Sequence, residues 1–219
     1  MAYIRQVELA SVVGLRHLPN LEVTASKRRV YEAAVELFGT RGYHGASVRD
    51  LAAHLGIKAP SIYAHVPTKE QLLFELAIIG QREYLRRLRA AMLEAGSDPA
   101  DQVRHIVRAH VLSHLELPLL ARVASVEVRH LDEQRLAQVL ELASEAGRVL
   151  IDVIARGQHR GAFNVVNPQR ATRAIADMGI RMAEWTPPAA PDEHASLAAD
   201  YADIALRILG CDAALIPGA

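Results

Sequence analysis

With Cys211 as its only cysteine, the 219-residue chain can form no internal disulfide. A secreted, disulfide-stapled scaffold is therefore excluded, and a reducing, cytoplasmic setting is expected. Neither charge is in surplus: 25 Lys and Arg stand against 25 Asp and Glu, with a pI near 7.2. That balance argues against a protein basic throughout, whether a non-specific nucleic-acid coat or a structural DNA-bridging protein. Long apolar runs are also missing. Charged residues interrupt every hydrophobic stretch before it reaches the roughly 18 to 20 residues a bilayer needs, so no membrane partner is expected. Near the start, the run Leu9 to Leu15 is bracketed by Glu8 and Arg16 and is too short for a secretory signal. Residues 1–23 therefore read as an N-terminal extension, either an arm or a segment packed on the domain. The sequence contains no nucleophile elbow, phosphate loop, zinc cluster or paired-carboxylate motif, so an enzyme is not expected and no cofactor is implied.

Against these absences stands one dense stretch, Ser47 to Lys69, SVRDLAAHLGIKAPSIYAHVPTK. Ser47 with Asp50 three residues later forms a capping-box pattern. Leu51, Ala52 and Leu55 follow at helical spacing. Gly56 is placed to end that helix in the left-handed conformation. Pro60 suits the first turn of a second helix, with Ile62 and the ring of Tyr63 as its anchors on the first. Thr68 and Gln71 make another capping box and open a third, longer helix. Two helices of about two turns joined by a glycine turn fit a helix-turn-helix, whose second helix enters the major groove. Charge is concentrated here too. From Ser26 to Lys69 seven Lys and Arg face three Asp and Glu, a net of +4 that leaves −4 for the remainder, the footprint of a phosphate-contacting domain.

The whole chain reads as helical. Thr24 or Ser26 caps a first helix to about Thr40, with Val30, Ala34, Leu37 and Phe38 inward and Tyr43 a buried plug in the following turn. A helix of about 40 Å runs from Thr68 to about Ala95. Asp98 and Pro99 then start one that ends near Glu116. Residues 119–129 and 132–160 follow, the second with Leu136, Val139, Leu140, Ala143, Ala146, Val149, Leu150 and Val153 on its apolar face. Asn167 and Pro168 open a helix to Trp185. Pro187, Pro188 and Pro191 make a stiff turn, and a last helix spans 192–209. The expected fold is all-α: a helix-turn-helix domain over 24–70, a larger helical domain over 71–211 and a tail over 212–219. Alanine-rich faces at Ala171, Ala174, Ala183, Ala198, Ala199, Ala202 and Ala205 predict that the last two helices pair with their copies in a homodimer.

The run Gly56-Ile57-Lys58-Ala59-Pro60-Ser61-Ile62-Tyr63-Ala64-His65-Val66-Pro67-Thr68-Lys69 resembles the signature of the tetracycline-repressor family of bacterial regulators, within a match over roughly 26–75. The resemblance implies a cytoplasmic homodimer that binds operator DNA and answers to a small-molecule effector. It places Ala59 and Ser61 at base edges and Tyr63, His65 and Lys69 at phosphates. Ser47 at a helix start and Lys58 complete the expected contacts. Many members carry a second aromatic where this chain has Ala64, so any phosphate contact from that ring is missing.

In the C-terminal half, His110 and His114 fall on one helical face, with Arg104, Arg108 and Arg122 nearby in sequence. The histidines read first as core or interface residues bonded to the backbone; their functional reading, joined by the arginines, is polar lining of a ligand cavity suited to an acidic effector on apolar walls. The alternative is a helical-bundle metalloenzyme holding a metal through His110, His114 and a carboxylate such as Glu127, although Val111 stands where a zinc-protease glutamate would be. His110-x-x-x-His114, Pro118 to Ala124, Glu127, Gly161-Ala162-Phe163, Trp185 and Tyr201 resemble a branch of the family that responds to acyl-coenzyme A thioesters. Trp185 itself reads as a plug at a helix junction.

Overall fold

The computed structural model describes residues 21–185 and 191–211, except for the side chains of 183–185 and 191. The expectations for residues 1–20, for the turn at Pro187 and Pro188, for the side chains of Ala183 and Trp185 and for the tail 212–219 lie outside them. Every regular element among the described residues is helical: α1 Ala25–Arg41, α2 Val48–Leu55, α3 Ala59–Tyr63, α4 Lys69–Glu94, α5 Pro99–Glu116, α6 Pro118–Ser125, a 3-10 turn Glu127–His130, α7 Glu133–His159, α8 Pro168–Trp185 and α9 Pro191–Ile208. None of them is long and apolar enough to cross a membrane.

The helix starts are set by local caps. Thr24 accepts from the Lys27 amide, and Asp98 Oδ1 accepts from the amides of Ala100 and Asp101 at 2.9 and 3.0 Å. Asp132 Oδ1 takes the Arg135 amide, and Asn167 Oδ1 the Arg170 amide, both at 2.8 Å. Each side-chain oxygen satisfies a donor that the first helical turn leaves unpaired.

The chain forms two compact units. Among the described residues the first comprises 21–83 together with Glu116–Leu142. Its core gathers Phe38, Leu51, Ile62, Leu72, Leu73, Leu76 and Val123. Two glycines bring α6 close to its neighbours. A Cβ on Gly39 would lie 2.9 Å from Leu119 Cβ, and one on Gly80 would lie 2.7 Å from Ala124 Cβ. Both fall inside van der Waals contact, so α6 packs directly on the backbones of α1 and α4. Polar ties close the unit: Tyr31 donates to Glu75, which pairs with Lys27 at 3.2 Å, and Arg135 reaches Glu70 at 3.2 Å. Burial, then the hydrogen bond to Glu75, pushes the Tyr31 phenol up to about 12.

The second unit comprises Tyr84–Leu115 and, among the described residues, 143–185 and 191–211. Arg89 pairs with Glu145, Arg156 donates to Gln102 at 2.7 Å and the Asn164 amide donates to the Leu209 carbonyl at 2.9 Å. Gly157 faces the Phe163 ring, where a Cβ would come within 2.1 Å.

Several expectations are corrected. The second capping box is only half made. Thr68 accepts from the Gln71 amide, but the Gln71 side chain donates to Glu75 and accepts from Arg135. Helix α3 has five residues rather than two turns, because Pro67 disfavours helical backbone at Val66. The expected segment 119–129 breaks into α6 and the 3-10 turn. On α7, Val139, Ala146, Leu150 and Val153 are buried, but Leu140 is 53% exposed, one residue and so about 100° off that stripe. Ala171, Ala198, Ala202 and Ala205 are buried in their own unit, while Ala174 is exposed.

Candidate functional site

Helix α2 starts on a complete capping box. Ser47 Oγ accepts from the Asp50 amide at 3.1 Å, and Asp50 Oδ2 accepts from the Ser47 amide at 2.7 Å. Hydrogen bonds from Ser47 hold the Asp50 carboxyl below its usual range. Ser47 is exposed, but its hydroxyl is taken up by the cap, and a carboxylate stands at the helix start where a phosphate would sit. Gly56 ends the helix at φ 67°, and the Ile57 amide turns back to the Ala52 carbonyl at 2.9 Å.

Lys58 is the exposed N-cap of α3 and makes no side-chain cap bond. Ile62 is 1% exposed and is the buried anchor of the helix, whereas Tyr63 is 51% exposed. The expectation that the Tyr63 ring shares the anchoring is thereby corrected: successive residues point about 100° apart, so with Ile62 inward Tyr63 faces out. Ala59, one turn before Ile62, is half-buried against the core. Lys58, Ser61 and Tyr63 are exposed together, and His65 is half-buried.

Lys69 is placed differently from its neighbours. Its ammonium donates to the Tyr43 carbonyl and lies 3.9 Å from the Tyr43 ring centroid. Burial lowers its pKa. Tyr43 packs against the core as expected, with Phe38 edge-on at 5.5 Å and His130 stacked at 5.4 Å. Its amide donates to Glu127 Oε2 at 2.8 Å. Glu127 is 1% exposed, and Arg122 Nε and His130 Nε2 each lie 3.7 Å from its carboxylate. The turn between α1 and α2 is thus held from both sides, by a lysine and by a buried carboxylate 84 residues along the chain. Neither hold is read from the sequence, where Lys69 is assigned to a phosphate and the one signal of the second is an acidic residue set in the apolar run Val123 to Val128.

The interior candidates do not converge as five. Arg104 pairs with Asp101 at 2.6 Å, and Arg108 is exposed. On α5 both arginines lie roughly 80 to 160° round the helix from the histidines. Arg122 belongs to the first unit and faces Glu127. His110 and His114, by contrast, are buried and sit edge to face at 4.9 Å, with the Tyr84 ring 5.7 and 6.0 Å away. His110 Nε2 lies 3.1 Å from the Ala176 carbonyl and Nδ1 lies 2.8 Å from the Tyr84 hydroxyl. A carbonyl only accepts, so Nε2 carries the proton and Tyr84 donates to Nδ1. Both nitrogens of His110 are therefore engaged, and Glu127 is bonded to Tyr43. The metal alternative loses its ligands, and among the described residues no group of three His, Cys, Asp or Glu is placed to hold a metal ion.

Burial pushes His110 down to about 4 and His114 down to about 3, the latter helped by the neighbouring His110. Folded values below the ordinary one of about 6.5 mean that the unfolded chain protonates first. This contribution to stability is complete above pH 6.5 and is lost as pH falls through about 4 and 3. Thermal melts are expected to show Tm falling between pH 6.5 and pH 4, and falling less when His114 is replaced by leucine.

Comparison with known proteins decides what this arrangement belongs to. Residues 30–76 match the bacterial regulatory proteins of the tetR family, and residues 96–209 match the tetracyclin repressor-like C-terminal domain. The chain belongs to the TetR family. TetR regulators bind DNA and control transcription, so the helix-turn-helix is a DNA reader and the protein is a transcriptional regulator rather than an enzyme. The class D tetracycline repressor of Escherichia coli is 30% identical over 179 residues, 77% of this chain and 74% of that one. The repressor KstR2 of Mycobacterium tuberculosis is 22% identical over 84% of this chain and 93% of its own. A TetR-family regulatory protein from Rhodococcus RHA1 shares the fold at TM-score 0.81 and 28% identity, covering 87% of this chain and 100% of that one.

Proposed function

We propose that this TetR regulator is a repressor that binds a near-palindromic operator as a homodimer and is released by a small apolar effector. The observation that carries this is the capped α2, the Gly56 turn and the outward-facing Lys58, Ser61 and Tyr63 of α3. In a dimer, two copies of α3 would enter successive major grooves on one face of the duplex. Relatives named repressors support the sign of regulation. On α9, Ile204 and Ile208 are 42% and 38% exposed one turn apart, which supports that helix as part of the dimer contact. In this reading residues 24–70 read DNA and 71–211 bind effector and partner. The effector binds among the helices of the second unit, and its acyl-coenzyme A character, drawn from the resemblance, concerns the acyl end. Turning occupancy from nearly full to nearly empty requires a differential affinity of about 5.5 kcal/mol for the DNA-incompetent state.

Ser61 is assigned to base edges, with Ala59 behind it, and Tyr63, His65 and Lys69 to phosphates. The Lys69 ammonium has three donors, one of them on the Tyr43 carbonyl, which leaves two for a phosphate. Footprinting the DNA upstream of the coding region should give a palindromic protected site. Ser61→Ala should change sequence preference. Lys69→Ala should weaken binding to every sequence and lower the salt slope by about 1. An unchanged slope would remove Lys69 from the phosphate contacts and leave it as a brace of the Tyr43 turn.

A further inference from the structure

His114 is 9% exposed, yet neither of its ring nitrogens hydrogen-bonds to a described residue. Its near neighbour differs: His110 is engaged at both nitrogens, by the Ala176 carbonyl and the Tyr84 hydroxyl. A neutral imidazole offers one donor and one acceptor. Neither His114 nitrogen is among the fully enclosed unpaired side-chain atoms of the described residues, so both border space that a small polar group can reach. His110 cannot swing over to satisfy either. Gly179 approaches so closely that a Cβ there would lie 2.2 Å from His110 Nε2, so the ring is wedged against α8.

The surroundings also select against charge. Arg104 and Arg108 lie round α5 from His114, the first paired with Asp101 and the second exposed. Arg122 is engaged with Glu127 in the other unit. Neither α5 arginine therefore offers a buried anion at His114 a fixed cation on its own helix, and the apolar setting disfavours an imidazolium in its place.

We propose that His114 is the polar anchor of the effector site, and that it takes an uncharged hydroxyl or carbonyl group on an apolar body rather than a carboxylate or phosphate. This rests on the effector reading above and names the chemistry of its ligand. The acidic effector expected from the sequence is replaced by a neutral one, and the carbonyl of a thioester falls within the class.

The test titrates wild-type protein with three probes sharing one ring, toluene, benzyl alcohol and sodium benzoate. Binding is read through the ring 15N resonances of His114, assigned by difference with His114→Leu. Benzyl alcohol is expected to shift those resonances saturably and to bind about tenfold more tightly than toluene, or about 1.4 kcal/mol. Benzoate is expected to leave them unchanged. In His114→Leu the two neutral probes should bind alike, because the hydroxyl has lost its partner. The proposal is overturned if benzyl alcohol gains nothing over toluene in wild-type protein or if benzoate binds as well. Operator release separates this proposal from the one beneath it. Benzyl alcohol bound at His114 without release keeps the site and removes the effector reading. Release by a compound that leaves the His114 resonances untouched keeps the effector reading and removes the site.

Discussion

Gly179→Ala is expected to lower stability by about 3 kcal/mol and Tm by roughly 10 °C. The added methyl would lie 2.2 Å from His110 Nε2 and 2.4 Å from its Cδ2. The imidazole is a rigid ring, buried and tied at both ends to Tyr84 and Ala176, so it has no rotamer into which to retreat. Either α8 moves away or the ring does. Each route leaves a buried donor unpaired, at about 1 to 3 kcal/mol. Against this stands the better helix propensity of alanine, worth up to about 1 kcal/mol. Gly147→Ala supplies the control. A Cβ there meets nothing within 4 Å, so on α7 the same change is expected to stabilise by about 0.5 to 1 kcal/mol. Equal melting temperatures for the two variants would show that α8 does not press on His110.

Glu127→Ala is expected to cost about 2 to 4 kcal/mol and to reduce operator affinity as well. The carboxylate accepts from the Tyr43 amide at 2.8 Å and is 1% exposed, so its removal leaves a peptide N–H without its acceptor. The contacts with Arg122 and His130, each at 3.7 Å, add less: Arg122 is a third exposed and its pairing is screened by solvent. Glu127→Gln keeps an acceptor oxygen and should lose only about 1 kcal/mol. Hydrogen exchange gives a local readout, since the Tyr43 amide should lose protection in the alanine variant and keep most of it in the glutamine one. Tyr43 sits in the turn that sets the entry of α2, so a loosened turn should weaken DNA binding even at temperatures where the protein stays folded. Unchanged exchange at Tyr43 would mean that the hydrogen bond is not what orders the turn.

The parts of this molecule that could be read from sequence are those whose physics is local. The caps at Thr24, Ser47, Asp98, Asp132 and Asn167 and the left-handed Gly56 each depend on residues within four positions. Tertiary demands upset the rest. Gln71 left its capping box because Glu75 and Arg135 bid for the same amide, and Arg135 is 64 residues away. Leu140 satisfied a periodic pattern but stands outside the stripe that α7 turns inward. The hold of Glu127 on Tyr43 left only an acidic residue in an apolar run as its trace, since nothing local predicts which backbone amide a buried carboxylate will find. Arg104, Arg108 and Arg122 looked like one lining with the histidines because they are close in number, but Arg104 and Arg108 lie round α5 from His110 and His114, and Arg122 belongs to the other unit. The spacing of four that puts His110 and His114 on one face is local, and it held.

Gly39 and Gly80 have a consequence for how this sequence can drift. At most core positions a substitution can go either way in size, and a neighbour can later compensate. Glycine has no smaller alternative. Every mutation at these two positions adds atoms against Leu119 or Ala124, with Cβ distances of 2.9 and 2.7 Å already too short. The seat of α6 on α1 and α4 is fixed by missing volume, and among descendants of this chain those two codons should stay still while the residues around them exchange.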